Sequence, residues 1–224
     1  MEESGEAAAS VHIDVVSDVV CPWCYIGKRR LEGAIALTSD IAVTVNWRPY
    51  FLNPWIPREG IDRQTYLETK FGSPERYAVI AERISTAAAM EGLVYNPDMI
   101  SRQPNTLDCH RLILWSRSAT DPARMKQRLM ELYFAEGADL SDPKILIQAA
   151  VDCGMDGDLV RRLLASDAEV DRIETDATAA KEAGIDGVPC FIFGSSVIVT
   201  GAQSPEYLAS AIERTSGRHT RLRA

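Results

Sequence analysis

His12-Ile13-Asp14-Val15-Val16 leads through Ser17-Asp18-Val19-Val20 into Cys21-Pro22-Trp23-Cys24. The first run is β-branched and reads as a strand. From Pro22 to about Leu37 the pattern turns helical, with Tyr25, Ile26, Leu31, Ala34, Ile35 and Ala36 among its apolar members. Residues 41–47 (IAVTVNW) then alternate in period two, as a second strand does. Strand, helix and strand in succession form a βαβ unit, which requires parallel pairing and a right-handed crossover. A cysteine pair sits at its first strand-to-helix turn.

The middle of the chain differs. Between residues 61 and 166 no strand pattern stands out. Ser73-Pro74, Asp121-Pro122 and Asp142-Pro143 each set a side-chain acceptor at an N-cap with proline at the first helical position. Helices are expected over about 74–91, 104–119, 122–136 and 143–153, with a shorter one near 156–165. A further helix over 167–183, ended by Gly184, precedes Gly187-Val188-Pro189-Cys190-Phe191-Ile192-Phe193. Gly194-Ser195-Ser196 offers a turn into Val197-Ile198-Val199-Thr200, so these two runs read as an antiparallel hairpin. Ser204-Pro205 opens a last helix to about Thr215. The fold class is α/β, a βαβ–αββα skeleton with a large all-helical insertion. Residues 11–60 and 167–215 form one discontinuous domain, residues 61–166 the insertion, and residues 1–10 and 216–224 flexible tails.

Composition narrows the function classes. The 224 residues are 46% hydrophobic and 25% charged, which is ordinary for a globular chain and excludes disorder and collagen-like repeats. A net charge of −8 opposes general affinity for nucleic acid or anionic membrane. The basic cluster Arg218, His219, Arg221 and Arg223 reads as a solvated end. Residues 1–10 (MEESGEAAAS) hold no basic residue and no apolar core, so they do not read as a secretory signal. No run of about 18 apolar residues is present to span a membrane. The expectation is a cytoplasmic protein. There, five cysteines do not suggest a disulfide framework.

A cysteine at a helix N-terminus gains thiolate stability from unpaired backbone N–H groups and the helix dipole. Pro22 suits the first helical position, which puts Cys21 at or beside the N-cap and Cys24 one turn further in. The asymmetry assigns the roles: Cys21 attacks and is the more exposed thiol, and Cys24 resolves. Lys28, Arg29 and Arg30 add positive charge within two turns. Asp18 would oppose the thiolate or accept a proton from Cys24. The competing reading is half of a zinc knuckle, but no second C-x-x-C or H-x₃₋₅-H is present. Cys109-His110 could offer two ligands only from diverging directions, since adjacent helical residues point about 100° apart.

Cys21-Pro22-Trp23-Cys24-Tyr25-Ile26-Gly27 after a strand, with Gly187-Val188-Pro189 before a late hairpin, resembles the DsbA-like thioredoxin-fold proteins. The closer likeness is to the FrnE-type branch of dithiol-disulfide oxidoreductases and isomerases. Asn105-Thr106-Leu107 with His110-Arg111-Leu112, and Gly201-Ala202-Gln203-Ser204-Pro205, are similar to segments of that branch. The resemblance spans about residues 11–214. It implies a thioredoxin-like fold, a cis Val188-Pro189 peptide beside the cysteines, and a Val188 backbone able to pair with an extended substrate. The plain alternative is an ordinary proline starting a strand.

His110 reads either as a core histidine bonded to backbone or as a substrate-binding residue lining the cleft between the helical block and the cysteines. Trp23 stands between the cysteines and is expected to touch substrate, beside Pro22, Val188 and Pro189. Trp115 reads as packing or surface. Cys109 and Cys153 read as small core residues, and Cys190 as another, unless its place after Pro189 brings it to the pair. The leading expectation is a thiol-disulfide oxidoreductase or isomerase with catalytic Cys21 and Cys24. Its substrate would be a protein or small-molecule thiol or disulfide. No metal or organic cofactor is required, and glutathione is compatible as a redox partner. The alternative is a glutathione-dependent transferase or isomerase of the kappa-class or 2-hydroxychromene-2-carboxylate isomerase type, which usually carries Ser at the Cys21 position. A third reading is a non-catalytic binding module or chaperone that keeps the fold.

Overall fold

A computed structural model describes residues 10–217. The basic cluster at 218–223 and residues 1–9 lie outside the described residues. Ser10 already belongs to the first strand, and Ser216 caps the last helix.

The expected βαβ unit is β1 (Ser10–Ser17), α1 (Pro22–Leu37) and β2 (Ala42–Pro49), with β1 and β2 parallel. The helical block follows as α2 (Arg63–Phe71), α3 (Pro74–Met90), α4 (Leu107–Ser116), α5 (Pro122–Phe134), α6 (Pro143–Asp152) and α7 (Gly157–Leu164). It also holds a small ladder, β3 (Ile61–Asp62) against β4 (Arg102–Gln103), which corrects the all-helical expectation. The chain returns through α8 (Val170–Glu182), β5 (Cys190–Phe193), β6 (Val197–Thr200) and α9 (Pro205–Thr215). The main sheet runs β2-β1-β5-β6, with β5 antiparallel to both neighbours.

Period-two alternation sorts the side chains of β1 between two layers. Ile13 and Val15 stand opposite Phe193 and Phe191, in one core with Leu31 and Ala34 of α1 and Leu208 and Ile212 of α9. Val16 stands opposite Cys190 on the other face, packed with Tyr50 and Ala180 of α8. Burial of each phenylalanine contributes about 1.5–3 kcal/mol. A one-residue slip would turn both layers inside out, so the register is strongly specified.

The proline-marked helix starts behave as read. Ser73, Asp121, Asp142 and Ser204 accept the backbone N–H of Arg76, Ala123, Lys144 and Tyr207. Helix α4 begins at Leu107 rather than near 104. Asn105 Oδ1 accepts the Leu107 N–H at 2.9 Å while its Nδ2 donates to the Ile56 carbonyl at 2.7 Å, holding Asn105 outside the helix. Helix α8 begins at Val170, because Glu169 takes a left-handed φ of 63° just before it.

Candidate active site

Helix α1 starts as its sequence requires. Cys21 is the N-cap, extended at φ −91° and ψ 113°, and Pro22 opens the helix. The Cys21 carbonyl accepts the N–H of Cys24 at 3.0 Å and of Tyr25 at 3.2 Å. Across from it, the Val188-Pro189 peptide is cis, and Cys21 Sγ lies 3.6 Å from the Val188 carbonyl oxygen. The close approach of helix and loop depends on Gly27. A Cβ there would stand 2.9 Å from Pro189 Cγ and 3.3 Å from Phe191 Cζ.

Both thiols are free and both are buried, at 3% and 2% exposure, so accessibility does not separate them as expected. Direction does: Cys21 lines a cavity of about 260 Å³ with Pro22, Trp23 and Val188, and Cys24 does not. Their acidities also part. The Cys21 thiol is pulled below the ordinary value, chiefly by the hydrogen bond from the Cys24 thiol, against burial. Cys24 is pushed well above it, first by burial and then by the thiolate that it would face. Burial also raises Cys109, Cys153 and Cys190. Cys190 packs on the α8 face of the sheet with Val16, away from the α1 core that holds the pair. Among the described residues, no three His, Cys, Asp or Glu side chains gather as a metal site would need.

Asp18 is fully buried below the pair. Its Oδ2 accepts the Leu52 N–H at 2.9 Å, and its Oδ1 lies 3.4 Å from His110 Nε2. Burial works to raise the carboxyl, but His110 and the Leu52 N–H outweigh it and hold the group below the usual aspartate value. His110 Nε2 is also 3.3 Å from the Tyr50 carbonyl oxygen, an acceptor only, so this nitrogen carries the hydrogen. His110 is thus a buried residue bonded to backbone, placed behind Asp18, and it does not line the Cys21 cavity.

The expected cations are each paired with a carboxylate. Lys28 pairs with Glu32 at 2.5 Å, Arg29 with the same carboxylate at 3.4 Å, and Arg30 with Glu91 at 2.6 Å. The cations near the pair come instead from the helical block. Arg63 and Lys70 of α2 line the Cys21 cavity. Lys126 of α5 is 1% exposed with its Nζ 5.3 Å from the Trp47 ring centre, and its charge lowers Cys24. Sequence reading missed all three, since nothing local marks a helix position as facing a cavity built by another element. Tyr66, Tyr77 and Tyr133 of the same cavity were missed for the same reason. Trp23 is 37% exposed and lines the same cavity.

The arrangement provides an acidified thiol at a cavity, a second thiol one turn behind it, and the Val188 carbonyl beside the first. Known proteins share the fold that carries it. The sequence profile of the DSBA-like thioredoxin domain matches residues 12–213. The uncharacterized protein YwbO of Bacillus subtilis is 29% identical over 205 residues, which is 91% of this chain and 96% of that one. A probable DsbA oxidoreductase of Streptomyces coelicolor superposes with a TM-score of 0.81 at 29% identity, over 96% of this chain and 93% of that one. A 2-hydroxychromene-2-carboxylate isomerase shares the fold at a TM-score of 0.69 and 15% identity, over 95% of this chain and 100% of that one. With the profile covering nearly its whole length, the chain belongs to the DSBA-like thioredoxin domain family.

Proposed function

We propose that this protein is a thiol-disulfide oxidoreductase or isomerase working through Cys21 and Cys24, of the FrnE-type branch, in the cytoplasm. The observation that carries the reading is the split between the two thiols. An acidified Cys21 at the N-cap of α1 lines a cavity, and a thiol of raised pKa lies one turn behind it. The Cys21 thiolate attacks a substrate disulfide and forms a mixed disulfide. Cys24 loses its proton, attacks the Cys21 sulfur and releases the substrate thiol. The Val188 backbone, with Pro22, Trp23 and Pro189, borders the place where the substrate sulfur must sit. His110 acts indirectly, by fixing Asp18. Substrates are thiols or disulfides, no metal or organic cofactor takes part, and glutathione is a suitable reductant.

Trapping tests the reading. Cys24→Ser should accumulate a thiol partner or glutathione on Cys21 and release it on reduction. Cys21→Ser should trap little, since the buried Cys24 is a weak acid. A folded pair of variants that captures nothing would overturn the exchange reading. A glutathione conjugation assay separates the transferase alternative, because conjugation would survive loss of Cys24.

A further inference from the structure

The cavity in front of Cys21 has a charge pattern that disulfide exchange does not need. Its walls are aromatic, with Tyr66, Tyr77 and Phe134 among them, and its lining contains no aspartate or glutamate. Two cations face it in a chain whose net charge is −8. The Arg63 guanidinium lies 5.1 Å and 5.0 Å from the Tyr66 and Tyr77 ring centres. It donates to Gln103 Oε1 at 2.8 Å and to Tyr133 Oη at 3.3 Å. Lys70, exposed at the mouth, donates to Asn53 Oδ1 at 2.5 Å. Neither cation is within ion-pair distance of a carboxylate among the described residues, whereas Arg30, Arg58, Arg111 and Arg128 each are. Neutral partners hold the two cations in place, and the charges of Cys21 and buried Asp18 act on Lys70 only from beyond ion-pair distance.

We infer that the cavity binds a low-molecular-weight disulfide carrying a carboxylate near its sulfur, the carboxylate between Arg63 and Lys70 and one sulfur at Cys21. This rests on the exchange reading and names its substrate class. At about 260 Å³ the cavity is slightly below the roughly 300 Å³ at which small-ligand clefts begin, so it suits a small molecule better than a protein segment. Arginine is suited to a planar carboxylate through its fork of donors, and Lys70 adds a point charge. The step balances without a further reactant. The Cys21 thiolate attacks one ligand sulfur and releases one thiolate; Cys24 then attacks the Cys21 sulfur and releases the second, its proton passing to a departing thiolate. The protein pair is oxidised to a disulfide by two electrons, and the ligand disulfide is reduced to one thiol and one thiolate.

The test uses the pre-reduced full chain in single-turnover exchange with three small disulfides: the dianion 3,3′-dithiodipropionate, neutral bis(2-hydroxyethyl) disulfide and the dication cystamine. Each rate is divided by that of the same disulfide with a free dithiol. The dianion should lead the neutral compound by about tenfold, from about threefold per partly exposed cation, and cystamine should trail both. Salt should narrow the spread. Lys70→Gln and Arg63→Gln should each lower the dianion-to-neutral ratio about threefold, and Lys70→Glu should lower it further. Equal normalised rates, or a ratio unmoved by Lys70→Glu, would overturn the proposal. A second measurement needs no exchange: the ratio of iodoacetate to iodoacetamide alkylation at Cys21, compared with that of a free thiol. It should favour iodoacetate in the native chain, and Lys70→Gln should lower that bias about threefold. Charge selectivity in alkylation without exchange of any disulfide would leave the anion site standing and sink the oxidoreductase reading. Exchange without charge selectivity would do the reverse.

Discussion

Lys126 shows how one residue can set stability and chemistry against each other. Its ammonium is fully buried, touches the Trp47 ring and has its pKa pulled down to about 8 by burial, against the opposing pull of Cys24 and Asp18. Below pH 8 the lysine is charged in both folded and unfolded chains, and the full cost of burying the charge is felt. As pH rises from about 8 towards the ordinary value of 10.5, the folded chain loses the proton first and the cost disappears. The gap corresponds to about 3 kcal/mol, from which a cation–π contact of about 1 kcal/mol is subtracted. Lys126→Met should therefore stabilise the reduced protein by about 2 kcal/mol at pH 7, and by much less at pH 10.5. Denaturant midpoints at the two pH values check this; equal shifts at both would exclude the buried charge as the source. The same substitution removes a charge that favours the Cys24 thiolate, so a mixed disulfide on Cys21 should resolve more slowly.

At the scale of elements, the site depends on how closely α1 approaches the loop before β5. Gly27→Ala would gain about 1 kcal/mol of helix propensity but force a methyl to 2.9 Å from Pro189 Cγ. Overpacking costs about 1–3 kcal/mol, so the net effect should be a loss of up to about 2 kcal/mol. Exchange should slow at the same time, because the shift separates the Cys21 end of α1 from Val188. Unfolding midpoints and single-turnover rates together check it; a more stable, equally fast variant would show that the loop yields freely. Sequence patterning revealed α1, the β1–β2 and β5–β6 pairs and the proline-capped helices, because their signals are local, but not the β1–β5 pairing that joins the two halves of the sheet. Helix α2 escaped it. The Asp62 cap of α2 accepts the Thr65 N–H at 3.1 Å, but no proline follows, and Tyr66 is the one buried residue along the helix. Without an apolar stripe there is little period to read. The candidate site was legible at residues 21–24, where it is contiguous, and at 187–189 only through the family resemblance. Arg63, Lys70 and Lys126 reach it only through tertiary packing.

At the scale of the whole molecule, the helical block and the thioredoxin-like part meet along seams stitched by arginines. Arg30 of α1 joins Glu91 at the end of α3 to the Ala202 carbonyl after β6, at 2.6 Å each. The second seam is Arg111 of α4, which is fully buried. Its Nε donates to the Ala168 carbonyl at 2.8 Å, and Nη2 donates to Leu163 and Ser166 at 2.8 and 2.6 Å. Nη1 pairs with Asp108 at 2.6 Å. One side chain thereby satisfies the carbonyls where α7 ends and the chain turns back towards α8. The Asn105–Leu112 segment is thus a joint as well as a support for the site: Asn105 fixes the start of α4, His110 sets its Nε2 3.4 Å from Asp18 Oδ1, and Arg111 closes the seam. Arg111→Met keeps the bulk but takes the guanidinium from the Ser166 and Ala168 carbonyls, while Leu163 keeps the Ser166 N–H at 3.1 Å and Asp108 keeps Arg58 at 3.0 Å. Breaking such a buried network costs about 3–5 kcal/mol. Arg111→Lys should recover little, because one ammonium cannot span acceptors laid out for a planar fork. Thermal unfolding should shift down in both variants by a similar amount. Below that transition, the pH dependence of Cys21 alkylation should stay as in the parent chain, since Arg111 touches neither thiol nor the cavity lining. A variant with unchanged stability would mean that water replaces the guanidinium at no cost. A displaced alkylation profile would mean that the seam governs the cysteine pair as well as the join.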